Sequence, residues 1–97
     1  MGKVRPVLIV QGDWLTRTQP QSVVVLPLTS RVRAELEPLR VTLNSRDDLL
    51  QDSQVIVEQP RTLDRRRIGE GPLTRVTHEE MSRVEQSLRA VLGFAFE

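Results

Sequence analysis

The 97-residue chain has no cysteine, one histidine, one lysine and no apolar run near the length of a membrane span. The missing cysteines exclude a disulfide frame and a thiolate metal site, as suits a reducing cytoplasm. With His78 as its only imidazole, the chain assembles no Ser-His-Asp or Cys-His system, and it carries no metal-spaced cluster and no glycine-rich phosphate loop. No secretory leader or bilayer-spanning segment is recognisable, so the expectation is a cytoplasmic protein without membrane contact. There is no internal repeat and no low-complexity stretch. This length makes one domain, 1–97, with a modest core.

Fourteen basic residues stand against thirteen acidic ones, so the chain is nearly neutral. The basic set is skewed: Lys3 is its only lysine, and the rest are arginines. A guanidinium matches phosphate and carboxylate bidentately, which hints at phosphate or partner recognition; a lineage with GC-rich codons would give the same bias.

The apolar block Val7–Val10, entered through Val4-Arg5-Pro6, reads as a strand buried on both faces. Proline is tolerated at a strand's first residue, so Arg5 stands at the mouth of a rigid element that could aim its guanidinium into a cleft. Gly12 to Gln21 reads as a polar connection, with Trp14 either packed as a flap or exposed for stacking. Ser22 to Ser30 is a second apolar strand, expected in the middle of the sheet, with Pro27 marking a bend or edge and Thr29 and Ser30 emerging at its end. Leu39–Leu43 alternates as a half-exposed strand does.

Asn44 to Ser53 is expected to be a turn with a short helical turn around Asp47 to Leu50. Gln54–Gln59 reads as another buried strand, Pro60 as a break before Arg61-Thr62-Leu63-Asp64, and Arg65 to Arg67 as a solvated face. Leu73 to Val76 is a candidate last strand. Thr77-His78-Glu79-Glu80 has the form of a capping box, and Met81, Val84, Leu88, Val91 and Leu92 recur at helical spacing up to Gly93, a suitable C′ residue. His78 falls in the first turn, where a solvent-facing role is expected. Strands followed by one helix predict a strongly bent antiparallel sheet or small barrel with the helix packed on it.

An enzyme built from this set must work with arginine, threonine, glutamate and glutamine. Those groups suit cleavage of RNA, in which the substrate's own 2′-hydroxyl attacks and the protein positions it and stabilises charge on the phosphorane.

Three blocks carry a resemblance. Val4-Arg5-Pro6-Val7-Leu8-Ile9-Val10, then Val24-Val25-Leu26-Pro27-Leu28-Thr29-Ser30, then Val55-Ile56-Val57-Glu58-Gln59-Pro60-Arg61-Thr62-Leu63-Asp64, in this order and with the closing helix, resemble the MazF/PemK/Kid family of toxin endoribonucleases over nearly the whole chain. The resemblance implies a mainly β fold, an SH3-like, CcdB/PemK-type small antiparallel barrel with a C-terminal helix, working as a homodimer. It implies cofactor-free, metal-independent cleavage of single-stranded mRNA to 2′,3′-cyclic phosphate and 5′-hydroxyl ends, with a cognate antitoxin protein as partner and no DNA binding by the toxin alone. Arg5 and Thr29 match the family's catalytic arginine and threonine. Ser30, Arg31, Arg33, Glu58, Gln59 and Arg61 are the candidate residues for contact with RNA or antitoxin. The family's usual first strand and mobile loop, which precede the Arg-Pro pair, have no counterpart in Met1-Gly2-Lys3, and the corresponding expectation is either a truncated sequence or a shortened relative with impaired activity. The alternative is a toxin-fold protein acting by protein binding, as an antitoxin decoy or a CcdB-like gyrase poison. The end Gly93-Phe94-Ala95-Phe96-Glu97 lacks the Trp-Gly-Ile with which the gyrase poisons grip their target.

Overall fold

The computed structural model describes residues 5–94. Val4, where the first apolar block begins, and Ala95 to Glu97 lie outside the described residues. The elements are β1 Val7–Ile9, α1 Asp13–Thr18, β2 Ser22–Thr29, β3 Val41–Leu43, β4 Ser53–Val55, β5 Arg61–Asp64 and α2 His78–Val91. Every pairing is antiparallel, in the order β1-β2-β4-β3 with β5 also on β2.

β2 organises the sheet. Its first part pairs with β5 on one side and β1 on the other, and from Leu28 onward it pairs with β4. The exchange of partners falls at Pro27, whose missing N–H ends one ladder while its carbonyl accepts from Ile56 at 2.8 Å and opens the next. The sheet bends there. The continuous apolar run of β2 is explained by this: Val23, Val25, Leu26 and Leu28 are all buried, on both faces.

Leu26 and Leu28 meet Val41, Leu43, Leu49, Val55, Val57 and Val84 in one core cluster. Val84 comes from α2, which lays the stripe Met81, Val84, Leu88 and Val91 across the curled sheet. The capping box at its start is complete: Glu80 N–H donates to the Thr77 hydroxyl at 3.0 Å, and Thr77 N–H donates to the Glu80 carboxylate at 2.8 Å. Gly93, with φ of 82°, ends the helix in the left-handed conformation that suits glycine.

Four sequence expectations are corrected. β1 is an edge strand with one partner, and Ile9 is 45% exposed, so it is not buried on both faces. The connection after it contains α1, which exposes Trp14. No helical turn forms at Asp47 to Leu50. Instead Arg46 and Leu49 exchange two backbone hydrogen bonds of 3.0 and 2.8 Å around a two-residue loop, with Asp47 at a φ of 50° that aspartate tolerates. The fourth correction concerns β4 and β5. β4 stops at Val55, and Arg61–Asp64, read as lying beyond a break, is a strand on β2, while Leu73 to Val76 forms none. No helix among the described residues is long and apolar enough to cross a membrane.

Candidate active site

The β1–β2 register pairs Val7 with Pro27 and Leu8 with Leu26, and it continues outward with Leu28 N–H donating to the Pro6 carbonyl at 3.1 Å. One more step places Arg5 opposite Thr29. Directly opposed residues of an antiparallel pair share a face, with Cβ atoms roughly 5 Å apart. Two residues separated by 23 intervening positions in the sequence are thereby brought side by side at the open end of the sheet.

On its other side Thr29 pairs with Gln54 of β4, which in turn pairs with Thr42 of β3. A polar row, Arg5–Thr29–Gln54–Thr42, therefore runs across four strands. Gln54 is fully buried and uses its whole amide: Nε2 donates to the Arg33 carbonyl at 2.9 Å and to the Thr42 hydroxyl at 3.3 Å, and Oε1 accepts from Arg33 N–H at 3.3 Å. This fixes the chain leaving β2. The Thr29 hydroxyl accepts from Arg31 N–H at 3.1 Å, which leaves its own proton free to donate.

Arg5 and Thr29 line an open cleft of about 430 Å³. One wall is Arg5, Pro6, Leu28, Thr29 and Ser30; the other is the turn carrying Asp48, Leu49, Leu50 and Gln51, with Ser53 and Leu73 beside it. A guanidinium, a free hydroxyl proton and an apolar ledge face one space. Such a set can bind a phosphodiester, offset charge on it and seat a base. A second groove of about 600 Å³, between α2 and the segment entering β3, contains neither Arg5 nor Thr29. Among the described residues no three His, Cys, Asp or Glu side chains stand close enough to hold a metal ion.

The other residues singled out in the sequence are spread. Ser30 lines the cleft; Arg31 and Arg33 are exposed on the segment that follows it. Glu58 lies elsewhere, in a bidentate pair with Arg40 at 2.5 Å, and that guanidinium holds its carboxyl below the usual range. Gln59 and Arg61 are exposed and contact each other at 3.3 Å, outside the cleft. His78 is exposed at the helix start.

Sequence reasoning missed the second wall. Asp48, Leu50, Gln51 and Leu73 reach the cleft because the 46–49 hairpin is tied to the segment before α2: Asp48 N–H donates to the Leu73 carbonyl at 3.0 Å, and the Thr74 hydroxyl donates to Asp47 at 2.6 Å. Arg46 completes the tie with a bidentate pair to Glu80 at 2.9 and 2.6 Å and a bond to the Arg75 carbonyl at 3.2 Å. No local pattern marks such a contact, although an exposed Leu50 in a polar turn was a signal available to be read.

Comparison with known proteins gives the family and the fold. The model of the PemK-like, MazF-like toxins of type II toxin-antitoxin systems matches residues 1–92. An endoribonuclease from a mycobacterial species, solved in complex with its cognate antitoxin, is 27% identical, with a TM-score of 0.78 over 96% of this chain and 84% of that one. The Mycobacterium tuberculosis toxin MazF-mt6 superposes with a TM-score of 0.78 at 21% identity, over 95% of this chain and 89% of that one. MazF in a MazE-MazF crystal structure from Deinococcus radiodurans gives 0.75 at 23% identity, over 94% and 87%.

Proposed function

Because the chain belongs to the PemK-like, MazF-like family of type II toxin-antitoxin toxins, a family of endoribonucleases, we propose that it cleaves single-stranded mRNA at short sequences without a metal, leaving 2′,3′-cyclic phosphate and 5′-hydroxyl ends. The observation that carries this reading is the placement of Arg5 opposite Thr29 at the mouth of the cleft.

In this reading the scissile phosphate sits between the two side chains. The substrate's 2′-oxygen bonds to phosphorus as the bond to the 5′-oxygen breaks; one proton leaves the 2′-hydroxyl and one is gained by the 5′-oxygen, so the reaction is proton-neutral. The Arg5 guanidinium offsets the second negative charge of the phosphorane and hydrogen-bonds its oxygens along the path of proton transfer. Thr29 donates its free hydroxyl proton to the same centre, already oriented by the Arg31 amide. Arg31 and Arg33 extend the cationic surface along the RNA or an antitoxin segment. Glu58, paired with Arg40, braces the strand turn rather than touching the phosphate.

The cognate antitoxin is the expected protein partner, as in the mycobacterial complex, and a homodimer is the expected assembly. Incubation with a long RNA in EDTA, with ends mapped by primer extension, tests the reading. Discrete cuts bearing 5′-hydroxyl ends, absent with Arg5→Ala, are expected. A folded Arg5→Ala protein that still cuts would sink the assignment.

A further inference from the structure

The turn Arg46–Gln51 contains six polar or charged positions with the adjacent Asp52 and Ser53, and four of them are spent on holding it. Arg46 grips Glu80, Asp47 accepts from Thr74, Asp52 accepts from Ser45 N–H at 2.7 Å, and the Ser53 hydroxyl donates to the Gln51 carbonyl at 3.0 Å. The two side chains without any partner among the described residues, Asp48 and Gln51, both line the cleft opposite Arg5 and Thr29, with Ser53 beside them. Between them Leu50 is 85% exposed on the same wall. This leucine, held in water on a pinned hairpin and flanked by a carboxylate and an amide without protein partners, contributes nothing to the core.

We propose that this wall reads a nucleobase: Leu50 packs against its face, and Asp48, helped by Gln51, accepts from an exocyclic amine on its edge. The inference rests on the ribonuclease reading and deepens it by assigning the wall that selects the sequence. A carboxylate has acceptors only, so it suits adenine, cytosine or guanine, each of which presents an amine. It rejects uracil, whose edge offers two carbonyls around a single N–H. A carboxylate beside a phosphate path is electrostatically adverse unless it has such a task; Arg5 supplies the cation for the phosphate, and Asp48 faces it from the far side of the cleft.

The decisive comparison is wild type against Asp48→Asn on one long RNA in EDTA, with every cut mapped and quantified. Asparagine keeps the shape and can both donate and accept, so it no longer rejects uracil. The expected result is one fixed position near the cut that excludes uracil in the wild type and admits it in Asp48→Asn, a shift in the cleavage ratio of about 10-fold or more. Preferences at other positions stay within a few-fold. Leu50→Ala raises KM at all sites without altering the preference. Asp48→Asn cutting the same sites in the same proportions would overturn the proposal. So would a uniform loss of rate with an unchanged preference, which would put Asp48 in the chemistry instead. A wild type that cuts no RNA removes the ribonuclease reading itself, a distinct failure that takes this inference with it. Asp48 binds the fold through its backbone N–H, so the variant keeps that anchor.

Discussion

Arg5, assigned to catalysis in the proposed reading, shows how little of such a role lies in a residue's own surroundings. It is exposed, and its position comes from Pro6, just ahead of β1, whose carbonyl accepts from Leu28 N–H and so carries the β1–β2 register on toward Thr29. Replacing Thr29 with alanine removes a donor aimed at developing charge, and a loss of roughly 10²–10³-fold in kcat is expected with the fold intact, while Thr29→Ser retains most activity. Single-turnover cleavage of a fixed RNA checks both. Gln54 matters in another way. Its amide is buried and spans the Arg33 backbone and the Thr42 hydroxyl, so Gln54→Leu takes the side-chain partner from the Arg33 N–H and carbonyl, while the Thr42 hydroxyl keeps its bond to Glu37. A destabilisation of about 1–3 kcal/mol is expected, read in urea titration, together with a loosened Arg31–Arg33 segment and a raised KM.

Among the elements, α2 couples the core to the site. Its first turn carries Glu80, whose carboxylate caps the helix and binds Arg46, and the pair anchors the wall that holds Asp48. Arg46 is the main cause of a Glu80 pKa lowered from 4.5 to about 2, with the Thr77 amide assisting. A carboxyl whose pKa is depressed on folding contributes stability that is present above its unfolded value and lost as pH falls through its folded value. The window is therefore about pH 4.5 down to 2. At ~1.4 kcal/mol per pKa unit the ceiling is roughly 3 kcal/mol, and partial solvent access cuts it to about 1–2 kcal/mol. Glu80→Gln, which keeps the cap but not the ion pair, should be less stable than wild type by that amount at pH 7 and equal to it near pH 2. Urea unfolding at the two pH values measures the difference. A gap that persists unchanged at the lower pH would show that the ion pair is not its source.

For the whole molecule, a near-zero net charge means that, in the proposed reading, attraction for RNA comes from where the arginines stand rather than from the total. Arg5, Arg31 and Arg33 cluster at the end of the sheet where β1 starts and β2 finishes. Binding of an uncleavable RNA, with a 2′-deoxy residue at the cut, should weaken with salt, and each phosphate contact removed should lower the log–log slope by about 0.7. Arg31→Ala and Arg33→Ala are expected to do so additively, while Arg83→Ala on the exposed side of α2 leaves the slope unchanged. Fluorescence anisotropy across a salt series distinguishes them.

Much of this was legible in the chain. The β2 run, the alternation at Leu39 to Leu43, the capping box and the Gly93 stop are local signals, set by side-chain period and backbone chemistry within a few residues; each forms, the alternating stretch as the shorter strand Val41–Leu43. Arg5 and Thr29 were singled out through the order of three blocks and not through any local rule, and the structure brings both to one cleft. The misreadings share a cause. β1 looked doubly buried because apolar content does not reveal whether a strand has one neighbour or two, and Arg61–Asp64 became a strand because β2 offered it a free edge. Asp48 and Gln51 entered the site only when Arg46 reached Glu80, 34 residues along the chain. By itself the sequence determined which segments bury themselves and where the helix begins and ends, because those depend on neighbours in the chain. Tertiary structure alone decided that a polar hairpin forms the wall facing Arg5 and Thr29, because that placement depends on ion pairs and backbone hydrogen bonds between segments distant in sequence.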